Sequence, residues 1–381
     1  MTDSLVLPPL SLYIHIPWCI KKCPYCDFNS HEYKTIPEDD YVGKLLEDLR
    51  QDLHWVQGRK LCSIFFGGGT PSLFSAESIA VILCEVEKLI GFEAEIEITL
   101  EANPGTFEQD KFRGFRAAGI NRLSIGIQSF QDAQLNALGR VHSAAEAERA
   151  VAVAKSAGFD NINLDLMHGL PKQSLAAAMR DLEMAVQLEP QHISWYQLTI
   201  EPNTLFYRQP PVLPLEEALL GIQVQGLQYL TANGYQQYEV SAFARDAKAS
   251  RHNNNYWQFG DYLGIGAGAH GKVSDTDSGK VIRRQKTRQP EHYLANSAAA
   301  NFKQNIVDRD QLPLEFFMNA LRLLDGVPTD YFQQRTGVEL AAIIPRLNKL
   351  KERKLLTNTD SRLQTTELGL RFLNSVVGEF T

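Results

Sequence analysis

Short apolar runs rich in β-branched and aromatic residues alternate with stretches of helical periodicity through the first half of the chain. LSLYIHI, ending at Ile16, reads as a strand, as do CSIFF at 62–66 and the runs at 95–100, 122–126, 161–166 and 192–198. Between them, helical patterns cover Asp40–Trp55, Ala76–Ile90, Glu108–Ala118, Ala144–Ala157 and Leu175–Leu188. Repeated βα units with apolar strands predict a parallel sheet, because parallel strands need helical crossovers and are buried on both faces. Six units fall short of an eight-fold barrel, so the expected class is α/β, an open (β/α)6 barrel. After about residue 306 the pattern changes to short helices, a hairpin-like Leu355–Leu363 and a last helix, as in a winged helix. The expected organisation is a barrel over 1–235, an extension over 236–305 and a winged-helix-like α/β domain over 306–381.

Length and charge narrow the function classes. A chain of 381 residues, 44% hydrophobic, can build a sizeable core and two or three domains. The formal net charge of -7 and the lack of a long Lys/Arg block give no reason to expect a nucleic-acid partner. One basic cluster, KVIRRQKTRQ within residues 272–289, reads as a solvated strand and loop that would also suit acidic ligands. The start, MTDSLVLPPLSLYIHIP, lacks a basic region followed by a long apolar stretch, and no later run reaches the ~20 residues needed to span a bilayer. The expected location is the cytoplasm.

Cys19, Cys23 and Cys26 lie at Cys-x3-Cys-x2-Cys spacing directly after the first strand. Three thiolates can hold three irons of a cubane cluster and leave the fourth open to a ligand from outside the protein. A zinc site would want four ligands in two pairs, and a dithiol redox site Cys-x2-Cys alone. Cys62 and Cys84 sit in apolar segments and read as small hydrophobes. Polar and glycine motifs follow four successive strands: Gly67-Gly68-Gly69-Thr70-Pro71, Glu101-Ala102-Asn103-Pro104, Gly126-Ile127-Gln128-Ser129, and Asp165 through Pro171. In parallel α/β folds ligands bind at the C-terminal edge of the sheet, so this recurrence marks the expected site.

The cysteine spacing resembles the cluster loop of the radical S-adenosylmethionine (SAM) superfamily, whose fold is a partial TIM barrel. With the strand-end motifs, nearly the full length resembles the oxygen-independent coproporphyrinogen III dehydrogenase family (HemN) and, more closely, its haem-chaperone relatives, the HemW group. The resemblance implies a [4Fe-4S] cluster on Cys19, Cys23 and Cys26, with SAM on its open iron. It implies that Tyr13 and Tyr25 border the SAM sites and that Gly68 and Glu101 contact the iron-bound SAM. Gly69, Thr70, Gln128, Arg140 and Asp165 match positions that bind a second SAM in the dehydrogenase.

Two departures count against coproporphyrinogen oxidation: Phe28 stands where the dehydrogenase has a fourth cysteine, and only twelve residues precede Tyr13. Arg251-His252-Asn253-Asn254-Asn255-Tyr256-Trp257 resembles the His-Asn-x-x-Tyr-Trp motif of the HemW group. It implies haem binding, with His252 as axial ligand and Tyr256 in reserve. The run Gly264 to Gly271 suggests close backbone approach to a ligand, with His270 lining the site's mouth. The expected function is therefore a haem chaperone that passes haem to an acceptor protein, a respiratory haem protein among the candidates, with transient contact to a membrane protein. The alternative is a radical SAM oxidoreductase acting on a porphyrinogen.

Overall fold

The computed structural model describes residues 5–33, 35–105 and 109–381. Six strands run parallel in chain order: β1 Leu10–Ile16, β2 Leu61–Gly68, β3 Phe92–Ala102, β4 Arg122–Gln128, β5 Ile162–His168 and β6 His192–Gln197. The crossovers between them carry α1 Glu38–Asp52, α2 Ala76–Leu89, α3 Phe112–Ala118, α4 Ala144–Ser156 and α5 Leu175–Gln187. Ser75, Ser143 and Ser174 cap α2, α4 and α5, and Glu146 completes a capping box on α4. The predicted helix to Trp55 stops at Asp52, where the chain tightens into a 3-10 turn, Leu53–Val56. Glu108, the predicted start of α3, lies outside the described residues.

The sheet then grows at both ends. After β6 comes α6 Glu216–Ala232, packed on α5, and then β7 Gln236–Glu239 and β8 Ala242–Ala244, with β8 antiparallel to β6. Beyond α7 Arg251–Trp257, β9 Asp261–Ile265 returns to the opposite end and pairs parallel with β1. The strands β10 His270–Asp275, β11 Lys280–Lys286 and β12 Phe302–Ile306 follow it antiparallel. The order is 12-11-10-9-1-2-3-4-5-6-8-7, and β12 and β7 remain unjoined edges, so the barrel is open.

Successive side chains of a strand point to opposite faces. Leu10, Leu12, Ile14, Ile98, Leu100, Leu123, Ile125 and Leu164 pack in the main core with the crossover helices. Their neighbours face the lumen and bond to one another: Ser11 to Ser63 (2.7 Å), Ser124 to Asp165 (2.8 Å) and His192 to Asn163 (2.6 Å). The strands are buried on both faces, as expected of parallel strands, but the inner face is filled by a polar network. Hydrogen-bonded partners make that burial tolerable.

The C-terminal segment has its own core around Phe316, Phe317, Phe332, Leu350 and Phe380, joined to the barrel through Phe259 and Val281. Three helices, Leu312–Ala320, Asp330–Thr336 and Ile344–Glu352, precede a hairpin closed by the Leu356–Thr365 bridge. Lys349 and Arg353 pair with Glu379, and Lys351 with Asp360, so the positive charge of the third helix is largely matched. Among the described residues no helix is long and apolar enough to cross a membrane.

A buried charge cluster fixes β9 against β10. Asp261 takes Lys272 at 3.0 Å and Arg59 at 2.8 Å, and Lys272 is 1% exposed. Burial pulls the lysine down to about 8, while Asp261 supports its charge. Removing one partner strands the other charge in a low dielectric, whereas replacing both with apolar groups does not. Asp261→Ala should therefore lose about 3–5 kcal/mol in urea denaturation. Asp261→Leu with Lys272→Met should recover part of that loss, because Arg59 then keeps only its carbonyl partners Val56, Pro8 and Trp55, and an Asp261→Ala protein as stable as wild type would refute the assignment.

Candidate functional site

The parallel strands end together, and the chain after β1 folds over those ends as the cysteine loop. Residues Trp18–Cys19 and His31–Glu32 pair to close the loop at its base. Two contacts then lock it against the sheet: Gly69 donates its N–H to Ile16 O at 2.7 Å, and the Asn29 amide donates to Ala267 O and Arg288 O, both at 2.9 Å. A Cβ on Gly69 would lie 2.5 Å from Trp18 O, so this glycine serves the close approach of two backbones. Gly68 has φ +116°, and a Cβ there would strike the His15 ring at 2.5 Å.

Cys19, Cys23 and Cys26 are free thiols at this edge, close enough that Cys26 and Cys23 raise the pKa of Cys19, and Cys23 that of Cys26. Burial is the larger cause and pushes Cys19 up to about 11. Thiols that resist ionisation in the bare protein suit a soft metal centre, whose positive charge would hold them as thiolates. Among the described residues no group of three or more His, Cys, Asp and Glu is arranged to hold a single metal ion. Thr70 Oγ1 donates to Cys19 Sγ and Arg140 Nη1 to Cys23 Sγ, each at 3.5 Å, and Asn103 bridges Thr70 (3.1 Å) to Arg140 (2.6 Å). Donors aimed at ligand sulfurs tune a cluster's potential.

The loop separates two cavities. The larger, about 570 Å³, is lined by Tyr13, His15, Gly68 and Glu101 of the first three strands and by Tyr256, Tyr262, His270 and Arg288 of the later segments. The smaller, about 220 Å³, is lined by Cys23, Thr70, Asn103, Arg140 and His142. Tyr25 packs on Phe206 with centroids 6.4 Å apart, and Arg140 and Cys23 both act on its phenol. Gln128, at φ +68°, accepts from the Tyr196 hydroxyl at 3.1 Å. Asp165 lies close enough to Glu101 to act on its charge and is held by Ser124 and Asn163.

His252 stands apart from this group. It is 1% exposed, its Nδ1 is 3.0 Å from Ser63 Oγ, and it stacks on Phe65 at 5.0 Å. Burial, with Arg122 adding to it, pulls its pKa down to about 3, and its Nε2 has no hydrogen-bond partner among the described residues. Tyr13 and Tyr256, both lining the larger cavity, lie between it and the site, 6.4 and 4.6 Å from its ring. In this conformation the expected haem ligand sits behind the cavity wall.

Sequence reasoning did not single out His15, Asn29, Arg122 or Tyr196, and it named Asn103 only within the strand-end motif Glu101-Ala102-Asn103-Pro104. His15 accepts from or donates to the Tyr13 hydroxyl at 2.9 Å and reaches Asn29 O at 2.8 Å, so it ties the first strand to the loop. Its signal is the period-2 alternation of LSLYIHI, which puts Ser11, Tyr13 and His15 on one face.

Glu101 is the most perturbed acid that faces the cavity. Burial first, and Asp165 second, push it up to about 8, although it accepts the Gly68 N–H at 3.1 Å. The folded chain therefore keeps a proton here that the unfolded chain releases near 4.5, and stability falls as pH rises through this window. Glu101→Gln should leave the thermal midpoint near wild type at pH 5 and raise it by several degrees at pH 8.5. An offset that does not change with pH would refute the shift.

The chain matches the radical SAM superfamily over residues 13–185 and the HemN C-terminal domain over residues 307–372. Haem chaperone HemW of Haemophilus influenzae is 54% identical over 380 residues, 98% of each chain. Haem chaperone HemW of Escherichia coli is 51% identical over 375 residues, again 98% of each chain. Among solved structures, coproporphyrinogen III oxidase (HemN) from Escherichia coli, a radical SAM enzyme, superimposes with a TM-score of 0.81 at 24% identity, covering 98% of this chain and 90% of that one. That likeness shows the shared open barrel. With more than half of its residues identical over nearly the whole length of both chaperones, the chain belongs to the HemW family of haem chaperones within the radical SAM superfamily.

Proposed function

We propose that this protein is a cytoplasmic haem chaperone: it binds haem beside a [4Fe-4S] cluster that coordinates SAM, and it passes the haem to an acceptor protein. The observation that carries the reading is the larger cavity, in which the edge of the cysteine loop and the tyrosine of the His252 motif face one space. Cys19, Cys23 and Cys26 would hold the cluster. When bound, the cluster offers an iron with an open position for the amino and carboxylate groups of SAM. Glu101 and the Gly68 backbone would receive that SAM, bordered by Tyr13 and Tyr25. Gly69, Thr70, Gln128, Arg140 and Asp165 would serve a second SAM, with Arg140 available to a carboxylate.

Residues 1–235 would form the SAM-binding unit, 236–305 the haem-related extension and 306–381 a packing or docking module. The acceptor would be a respiratory haem protein, reached through transient contact with a membrane protein. Phe28 supports the chaperone over a porphyrinogen oxidoreductase: it puts an apolar ring, 61% exposed, where that enzyme has a cysteine.

Anaerobic reconstitution followed by haem titration tests this directly. The wild-type chain should gain cluster absorbance and bind haem saturably, one per chain, and absence of saturable binding would overturn the chaperone. Cys19→Ser should lose most of the cluster absorbance. SAM should raise the thermal midpoint of the reconstituted wild type but not of Cys19→Ser, because only a ligand that binds the folded state stabilises it. Equal shifts in both proteins would show that SAM binds without the cluster.

A further inference from the structure

The basic segment around β11 is the sequence feature with no part yet in the proposed function. Most of its cations are consumed within the fold. Lys272 pairs with Asp261, Arg284 with Asp52 at 2.5 Å, and Lys286 with Asp48 and with Asp52 at 2.9 Å. Arg283 donates to the Tyr262 hydroxyl at 2.8 Å and pairs with Glu315. Arg288 differs from these: it is exposed, has no ion pair among the described residues, and lines the larger cavity beside Gln285 and His270.

Aromatic rings share this lining with Asp27 and Asn29. Tyr256 and Tyr262 pack with centroids 4.2 Å apart, and Phe28 stands exposed at the same mouth. A cavity of about 570 Å³ falls within the roughly 300–1,000 Å³ usual for small-molecule sites, whereas the 220 Å³ cavity does not. Rings backed by an unpaired guanidinium suit a flat, largely apolar ligand that carries carboxylates.

The glycine run supplies an imidazole to this wall. A Cβ on Gly264 would meet His270 O at 1.9 Å, one on Gly266 would meet His15 O at 2.4 Å, and one on Gly268 would meet the Asn29 amide at 2.2 Å. Gly266 and Gly268 are also at φ +100° and +85°. The run is thus pressed between β1 and the cysteine loop and ends on His270, which is exposed at the cavity and makes no side-chain hydrogen bond among the described residues. His252, behind the wall, has no such access.

We propose that haem occupies the part of this cavity lined by the later segments, its macrocycle against Tyr256, Tyr262 and Phe28, a propionate on Arg288 and its iron facing His270. This seat rests on the haem-carrying reading above and assigns the lining of the first three strands, with Gly68 and Glu101, to SAM. Arg288 is a binding residue in this account, and His270 is the axial ligand.

The test is an anaerobic titration of the full, cluster-reconstituted chain with haem and with haem dimethyl ester, whose propionates are esterified, followed in the Soret region. Wild type should prefer haem over the diester. Arg288→Ala should weaken haem binding about 10-fold and erase that preference, as expected for one lost charge-assisted contact. His270→Ala should move the Soret maximum, and His252→Ala should leave it in place. Equal preference in wild type and Arg288→Ala, or a Soret shift in His252→Ala alone, would overturn the seat. Absence of haem binding by wild type would instead overturn the chaperone reading, and the seat with it.

Discussion

Strand β1 is hydrogen-bonded by a parallel neighbour on each side, β2 and β9, and the position of everything at the site depends on this. Parallel pairing aligns the C-terminal ends of strands, so the loops that leave them meet on one rim. The cysteine loop leaves β1, the Gly67–Gly69 turn ends β2 and the Gly264–Gly271 run follows β9. Three segments distant in sequence become neighbours because one strand holds both partners. The Asn29 amide, with one hydrogen bond to Ala267 and one to Arg288, then sets the loop's tilt over the rim. The buried Asp261–Lys272–Arg59 cluster secures the far side of β9, which has no crossover helix between it and β10.

The lumen supplies the electrostatics. Arg122, 2% exposed, lies 3.9 Å from Glu97; its charge opposes the burial that raises Glu101 and Asp165 and adds to the burial that lowers His192 and His252. Burial outweighs that cation at Glu101 and at Asp165 and raises both, and Glu101, at about 8, keeps a proton where charge would otherwise accumulate. The upper lumen is consequently ready to accept a positively charged ligand at Glu101 by releasing a proton. Burial, with the same cation adding to it, lowers the pKa of His192 and His252. Glu97 also accepts the His252 N–H at 3.1 Å, so the lumen network fixes α7 and thereby Tyr256.

The parts of this structure that follow from local periodicity were legible in the sequence. The six parallel strands, their crossover helices and the clustering of strand-end motifs were all expected from runs of five to seven residues and from the cysteine spacing. The antiparallel extensions were not, because β9 pairs with β1 across some 250 residues and nothing local records that partner. The polar lumen was obscured because Ser, Tyr and His inside apolar runs read as strand composition until the alternation is followed residue by residue. His252 shows the same limit: the motif locates it in sequence, but only the packing of α7 against β1 and β2 reveals that it lies behind Tyr13 and Tyr256. The basic segment was read by charge alone, and only the pairing of Lys272, Arg283, Arg284 and Lys286 within the fold singles out Arg288 as its cation lining the larger cavity.

If cluster and haem share one rim of the barrel, anomalous diffraction at the iron edge, from anaerobic crystals of the cluster- and haem-loaded chain, should show one iron centre at Cys19, Cys23 and Cys26 and a second iron inside the cavity bounded by Phe28, Tyr256, Tyr262 and His270. A second iron at the opposite end of the strands, or outside the barrel, would contradict a shared rim.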